Sequence, residues 1–153
     1  MNRYLVFHLL ITFAALAALP AAGEANLVAN GSFEELANGA PVSWACEGDA
    51  GVQQTLSSDA GVTGGRAAKL ACTAFHRQTR ESYATLTQTG FGGLEKGKWY
   101  RFSCWARQEG MASGLVTVEL IADMKAMIPY TTSLLFMQFP LRREWQRFDR
   151  YFQ

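Results

Sequence analysis

Period-two alternation runs through most of this chain and confines it to β-structure. Between Trp99 and Arg107 (WYRFSCWAR), Tyr100, Phe102, Cys104 and Ala106 fall on one side; Trp99, Arg101, Ser103, Trp105 and Arg107 fall on the other. Successive side chains of a strand point to opposite faces, so this pattern predicts a half-buried strand. Leu115 to Ala122 (LVTVELIA) does the same, with Val116, Val118, Leu120 and Ala122 opposed to Leu115, Thr117, Glu119 and Ile121. Shorter candidates are Asn26 to Phe33, Val52 to Ser57, Ala67 to Thr73, Tyr83 to Gln88, Leu134 to Phe139 and Gln146 to Phe152. Glycines at 61–65, 90–93, 97 and 110–114 supply the turns between them. Only Met124 to Met127 suggests a helical turn. Short strands separated by glycine-rich turns predict an all-β fold, an antiparallel β-sandwich or jelly roll.

Residues 1–25 do not share the alternation. Arg3, an apolar run from Leu5 to Leu19 broken by His8 and Thr12, then Pro20 and small residues have the layout of a secretory signal peptide. Cleavage fits after Gly23 or after Ala25. The run is shorter than the ~20 residues that span a bilayer, and no second apolar stretch of membrane length follows. The expected product is a single domain over residues 26–153, exported to the periplasm, cell surface or medium, with no membrane insertion after processing.

Export places Cys46, Cys72 and Cys104 in an oxidising compartment, where disulfides persist. Three is an odd number, and the spacing matches no zinc pattern. Cys104 sits inside the Trp99 to Arg107 alternation as a small buried hydrophobe, which leaves Cys46 and Cys72 as the expected pair. Three free buried thiols are the alternative.

Several function classes are excluded at this level. A net charge of +1 gives no basic footprint for nucleic acid. Gly92 to Trp99 (GGLEKGKW) lacks phosphate-loop spacing and is a turn before a strand. His76 is the one histidine after residue 25 and has no partner arrangement for nucleophilic catalysis. The acidic residues are scattered, and adjacent Glu34 and Glu35 point to opposite faces of an extended segment, so no glycosidase acid and base stand out. No enzymatic activity is expected of these residues.

The blocks NLVANGSFEE (Asn26 to Glu35), Trp44, GGRAAKL (Gly64 to Leu70), LEKGKWYRFSCWAR (Leu94 to Arg107) and EWQRFDRYF (Glu144 to Phe152) resemble, in order and spacing, the carbohydrate-binding modules of the cellulase C type. These comprise families four, nine and twenty-two. The resemblance implies a jelly roll of two antiparallel sheets with a sugar cleft on one of them, and a structural calcium ion as cofactor. Glu34, closing the N-G-x-F-E block, matches a calcium ligand, with carbonyls of the Gly64 to Arg66 turn beside it. The aspartate that the family carries on its last strand has no counterpart here, and the family pattern continues beyond the point matched by Gln153. The chain is therefore expected to be a module lacking its last strand or strands, joined to downstream domains.

Sugar binding also has a physical basis in the residues. Each pyranose ring offers an apolar C–H face and a rim of hydroxyls, so a binder needs exposed aromatic platforms bordered by planar polar groups. Phe33, Tyr100, Phe102, Phe148 and Phe152 alternate inward and are assigned to the core, as is Trp44. Trp105, which shares a strand face with Arg101, Ser103 and Arg107, is the first sugar-contact candidate. Tyr83 follows, with Arg77 and Gln78 just before it, and Glu119 with Thr117 on the next strand. The expected partner is a polysaccharide of the β-glucan or xylan class. The expected role is noncatalytic targeting of an attached enzyme or surface protein. The rivals are a structural β-sandwich that binds no sugar, and the accessory domain of a glycoside hydrolase.

Overall fold

The structure is a computed structural model and describes residues 7–12, 26–79, 82–90, 92–111, 115–122 and 132–153. All regular elements among them are strands: β1 (Phe7–Thr12), β2 (Leu36–Ala37), β3 (Ala40–Pro41), β4 (Ala45–Gly48), β5 (Val52–Ala60), β6 (Arg66–Phe75), β7 (Ala84–Thr87), β8 (Tyr100–Glu109), β9 (Leu115–Ala122), β10 (Thr132–Pro140) and β11 (Gln146–Phe152). A five-stranded sheet runs in the order β11-β8-β1-β6-β5, and β9–β10, β2–β3 and β4–β7 form two-stranded pairs. Every pairing is antiparallel. The all-β expectation holds. The proposed helical turn at Met124 to Met127 lies outside the described residues.

The register of β8 against β11 sorts its side chains. Tyr100 pairs with Phe152 and Cys104 with Phe148, whereas Arg101 pairs with Tyr151, Ser103 with Asp149 and Trp105 with Arg147. The first set faces the core. Phe148 stacks on Phe139 of β10 with centroids 3.7 Å apart, and Tyr100 stacks on Phe152 at 5.7 Å. Ala106, Val116, Phe139 and Leu141 form one buried cluster, with Met111, Val118, Met137 and Phe148 packed on it. The β9–β10 pair therefore lies over the five-stranded sheet, and the layers close as a sandwich. β6 has both faces covered: Ala67, Ala68, Leu70, Ala71, Cys72 and Ala74 are all buried. Its small residues suit a central lane with packing on either side.

A register shift in β10 decides which of its residues face out. Ser133 pairs with Ile121 and Leu135 with Leu120, so Leu134 is the extra residue of a bulge. Beyond it Leu135, Met137 and Phe139 oppose Leu120, Val118 and Val116, while Phe136 and Gln138 oppose Glu119 and Thr117. Leu135 and Phe139 are buried; Phe136 is exposed.

Two expectations change. Asn26 to Phe33 is a turn, not a strand, because Asn30 organises it. Asn30 has φ 45° and Phe33 φ 60°. The Asn30 amide nitrogen donates to the carbonyls of Glu35 and Val42, both at 2.9 Å, and its Oδ1 accepts from the Glu35 N–H at 3.1 Å. Asparagine tolerates the left-handed region and bonds backbone locally, which extended structure would forfeit. The turn leaves Phe33 fully buried, 5.2 Å from the Trp44 ring, whose indole N–H donates to the Asn30 carbonyl. Phe33 is in the core as assigned, and Trp44 is half-buried against it.

The second change concerns the cysteines. Cys46, Cys72 and Cys104 are all free, so the expected Cys46–Cys72 bridge is absent. Cys46 lies on β4 opposite Leu86, whereas Cys72 lies on β6 between Phe7 and Gln54 and donates to the Ala74 carbonyl at 3.3 Å. The two thiols thus belong to different sheets. Burial pushes the Cys72 thiol up, and pushes Cys104 up to about 12, with the Asp149 carboxylate adding to the effect. Both are protonated at neutral pH and behave as small core hydrophobes.

Phe7–Thr12, inside the segment read as a leader, is the middle strand of the sheet, and this pairing does not test whether export removes the segment. It pairs with β6 from Phe7↔Cys72 to Ile11↔Ala68, and with β8 from His8↔Glu109 to Thr12↔Trp105. Two parallel-running edges one lane apart leave backbone N–H and C=O groups that an extended apolar segment satisfies.

Candidate functional site

The residues proposed from sequence divide among three surfaces. Trp105 and Arg101 do share a face, the outer side of the five-stranded sheet. Trp105 is half-buried there, opposite Arg147 of β11. Its charged neighbours are engaged with one another. Asp149 receives Arg101 Nε and Arg147 Nε, each at 2.9 Å. Arg101 also lies over the Tyr151 ring at 5.9 Å, and Arg107 over Trp145 at 5.2 Å, with Arg107 bonded to Glu109 at 3.0 Å. Farther along, Lys69 meets Asp59 at 3.2 Å. This face is a ladder of ion pairs and cation–π contacts in which Arg101, Arg147 and Lys69 have carboxylate partners, while Arg107 pairs with Glu109 but keeps its buried Nε without a hydrogen-bond partner.

Tyr83 lies elsewhere, just before β7 in the β4–β7 pair, and is exposed. Arg77 and Gln78 shape the preceding connection: Arg77 Nε donates to the Thr79 carbonyl at 2.9 Å, and Gln78 Nε2 to the His76 carbonyl at 3.4 Å. The Gln78 N–H donates to the Ser82 hydroxyl at 2.9 Å. Beside this pair is a hollow of about 350 Å³ lined by Ser43, Trp44, Ala45, Glu47 and Thr87 to Thr89. Gln88 is committed within it, exchanging hydrogen bonds with the Ala29 backbone at 2.8 and 2.9 Å.

Glu119 is on the outer face of β9–β10, in the other layer of the sandwich from Trp105. Here the structure assembles what the sequence reading missed. Phe136, 56% exposed, stands directly opposite Glu119, and Gln138 stands opposite Thr117. Gln138 Nε2 donates to the Thr117 hydroxyl at 3.2 Å, and the Ser133 hydroxyl donates to Glu119 Oε1. Exposed Leu115 and Ile121 flank this group at either end of β9. An aromatic ring with no stacking partner among the described residues is thus bordered by a carboxylate, an amide and two hydroxyls. The missed signal was the parity of Phe136 and Gln138, which a bulge at Leu134 turns outward.

The calcium expectation centres on Glu34 and a shallow hollow of about 380 Å³ lined also by Ser58, Asp59, Ala60, Gly64, Gly65 and Arg66. Glu34 Oε1 accepts from the Arg66 N–H at 2.9 Å, and its Oε2 faces the Arg66 guanidinium at 3.6 Å. A Cβ on Gly65 would come within 2.7 Å of Glu34 Oε1, so glycine permits this approach. Asp59, the other carboxylate, accepts from the Ala60 N–H at 2.7 Å and is paired with Lys69. Calcium wants six to eight oxygens including unneutralised carboxylates. Both carboxylates here already face a cation, and no group of three metal-binding side chains occurs among the described residues. The residues present do not fit the ion.

Comparison with curated proteins and with solved structures finds no match. A family model described as a carbohydrate binding domain, covering families four and nine, matches residues 25–153. That span takes in every sequence block quoted above, and the all-β architecture agrees with it. The chain belongs to this family of carbohydrate-binding domains.

Proposed function

We propose that the domain binds polysaccharide on the outer face of β9–β10, with Phe136 as the platform for one sugar ring. The observation carrying this reading is the exposed Phe136 ring set against Glu119, Thr117 and Gln138. The ring covers the C–H face of a pyranose, and the carboxylate, hydroxyl and amide accept from or donate to its rim hydroxyls. β9 is eight residues long, roughly 26 Å at strand rise, so the strip accommodates a chain and not a single sugar. Tyr83, Arg77 and Gln78 contribute in this reading only as a flanking loop, and Trp105 with Arg101 serves the opposite surface as structure. The domain is noncatalytic and exported, and it brings an attached enzyme or surface assembly to β-glucan or xylan. Calcium has no part in it.

Affinity electrophoresis of the purified protein through gels containing xylan, β-glucan or soluble cellulose derivatives tests this. Wild type is retarded by at least one of them, Phe136→Ala loses most of the retardation, and Trp105→Ala keeps it. Retardation lost in Trp105→Ala and kept in Phe136→Ala transfers the site to the five-stranded sheet. No retardation on any polysaccharide favours a purely structural sandwich.

A further inference from the structure

The layer opposite Phe136 carries a pair of open aromatic rings that the sugar-binding reading leaves idle. Trp99 is 67% exposed and Tyr151 63%, the two most exposed aromatic side chains among the described residues. Trp44, Trp105 and Trp145 are only half-buried to Trp99's open position, so Trp99 is the one exposed tryptophan of the four. Tyr151 pairs with Arg101 near the end of the β8–β11 ladder, and Trp99 stands two residues before Arg101. Both rings therefore lie on the outer face of the sheet, as diagonal cross-strand neighbours roughly 7–8 Å apart at the backbone. β11 is the edge strand, so no further strand of the sheet walls off Tyr151.

The surrounding chain holds the pair in place. The Tyr100 hydroxyl accepts from the Glu95 N–H at 2.7 Å and donates to the Gly93 carbonyl at 3.3 Å, and the Lys98 N–H donates to the Glu95 carbonyl at 3.2 Å. These bonds tie down the turn that enters Trp99. Gln153 Nε2 donates to the Gly97 carbonyl at 3.0 Å and joins the end of β11 to the same turn. Arg101, bonded to Asp149, lies over the Tyr151 ring at 5.9 Å. The polar tips are uncommitted: the Trp99 indole N–H, the Tyr151 hydroxyl and the Gln153 amide oxygen have no hydrogen-bond partner among the described residues.

We infer that Trp99 and Tyr151 form a second polysaccharide contact, on the layer opposite Phe136, so that one domain holds two stretches of glycan and bridges them. The inference rests on the sugar-binding reading for the class of ligand, though not for the place. Two pre-set rings cover pyranose C–H faces, and the indole N–H, hydroxyl and amide oxygen meet the rim hydroxyls. Area favours this ligand over a second copy of the chain. Taking about 250 Å² for a tryptophan and about 200 Å² for a tyrosine, the two rings leave roughly 290 Å² open, against ~800 Å² per partner in a stable protein interface.

Trp99 is its own reporter. In Phe136→Ala protein, which lacks the first platform, cellohexaose or xylohexaose should change the indole emission saturably, and adding Trp99→Ala should remove that change. Tyr151→Ala in the same background should weaken the response about tenfold, since half of its open ring area is lost to the sugar. With long-chain β-glucan or xylan, wild type should bridge chains and raise light scattering; Phe136→Ala and the doubly substituted Trp99→Ala, Tyr151→Ala protein should each bind without bridging. All three positions are exposed, so melting temperatures should stay near wild type. A Trp99 emission that neither hexasaccharide moves overturns the inference, as does scattering that survives Trp99→Ala, Tyr151→Ala. Concentration-dependent self-association on gel filtration that this double variant abolishes gives the face to a second copy and overturns it too. The two contacts separate cleanly: an emission change in Phe136→Ala protein whose Kd equals that of wild type upholds the Trp99 contact and removes the Phe136 one.

Discussion

Truncating Phe136 to alanine isolates the platform, because the ring protrudes and supports no core packing. A phenylalanine side chain presents up to about 200 Å², so at 56% exposure about 110 Å² is open to solvent. A pyranose laid on the ring covers about half of that, roughly 55 Å². At ~25 cal/mol per Å² the contact contributes about 1.4 kcal/mol, or a tenfold change in Kd. The variant's melting temperature should stay close to wild type, since an exposed position away from caps and cores costs within about 0.5 kcal/mol. Retardation measured across a series of polysaccharide concentrations gives Kd directly. Phe136→Ala should raise it about tenfold, and Gln138→Ala should raise it less, since only a rim hydrogen bond is lost. An unchanged Kd in Phe136→Ala, on a polysaccharide that retards the wild type, refutes the assignment of the face.

Phe33→Ala should destabilise the domain by about 3–5 kcal/mol in denaturant unfolding, as the ring is fully buried against Trp44. A thiol reagent should modify Cys46 in the native protein and reach Cys72 and Cys104 only on unfolding, and a non-reducing mass map should show no bridge. Asp59 is held below its ordinary 3.8 by the Ala60 N–H, with Lys69 assisting against the effect of burial. A depressed folded value means that its stabilisation is present above pH 3.8 and fades as the pH falls below it. Asp59→Asn should therefore lower the melting temperature at pH 7, and the gap from wild type should close in acid; a gap constant with pH would contradict the assignment. Melting should be the same in calcium and in chelator, because Arg66 and Lys69 already neutralise Glu34 and Asp59.

Much of the fold was legible because burial in a sandwich imposes a local period. The alternation of Tyr100 to Arg107 and Leu115 to Ile121 marked β8 and β9 with the correct inward faces, and Val52 to Ser57, Ala67 to Thr73 and Gln146 to Phe152 fell inside β5, β6 and β11. β2, β3 and β4 were not legible, since strands of two to four residues are too short to show a period. The Asn30 turn was misread because its hydrogen bonds reach Glu35 and Val42, partners that the window of alternation does not contain.

For the site, the sequence by itself determined which residues lie on alternate faces of each strand, and through its ordered blocks it determined the family. It placed Trp105 with Arg101, and Glu119 with Thr117, because residues two apart on one strand must share a face. Only tertiary structure decided that these two pairs belong to opposite layers of the sandwich, that the arginines beside Trp105 are committed to Asp149 and Glu109, and that the bulge at Leu134 sets Phe136 opposite Glu119. The same holds for Phe7–Thr12, whose apolar run suits export and strand pairing equally. Parity is a property of one strand. Which strands lie side by side, and in what register, depends on contacts between residues far apart in the chain.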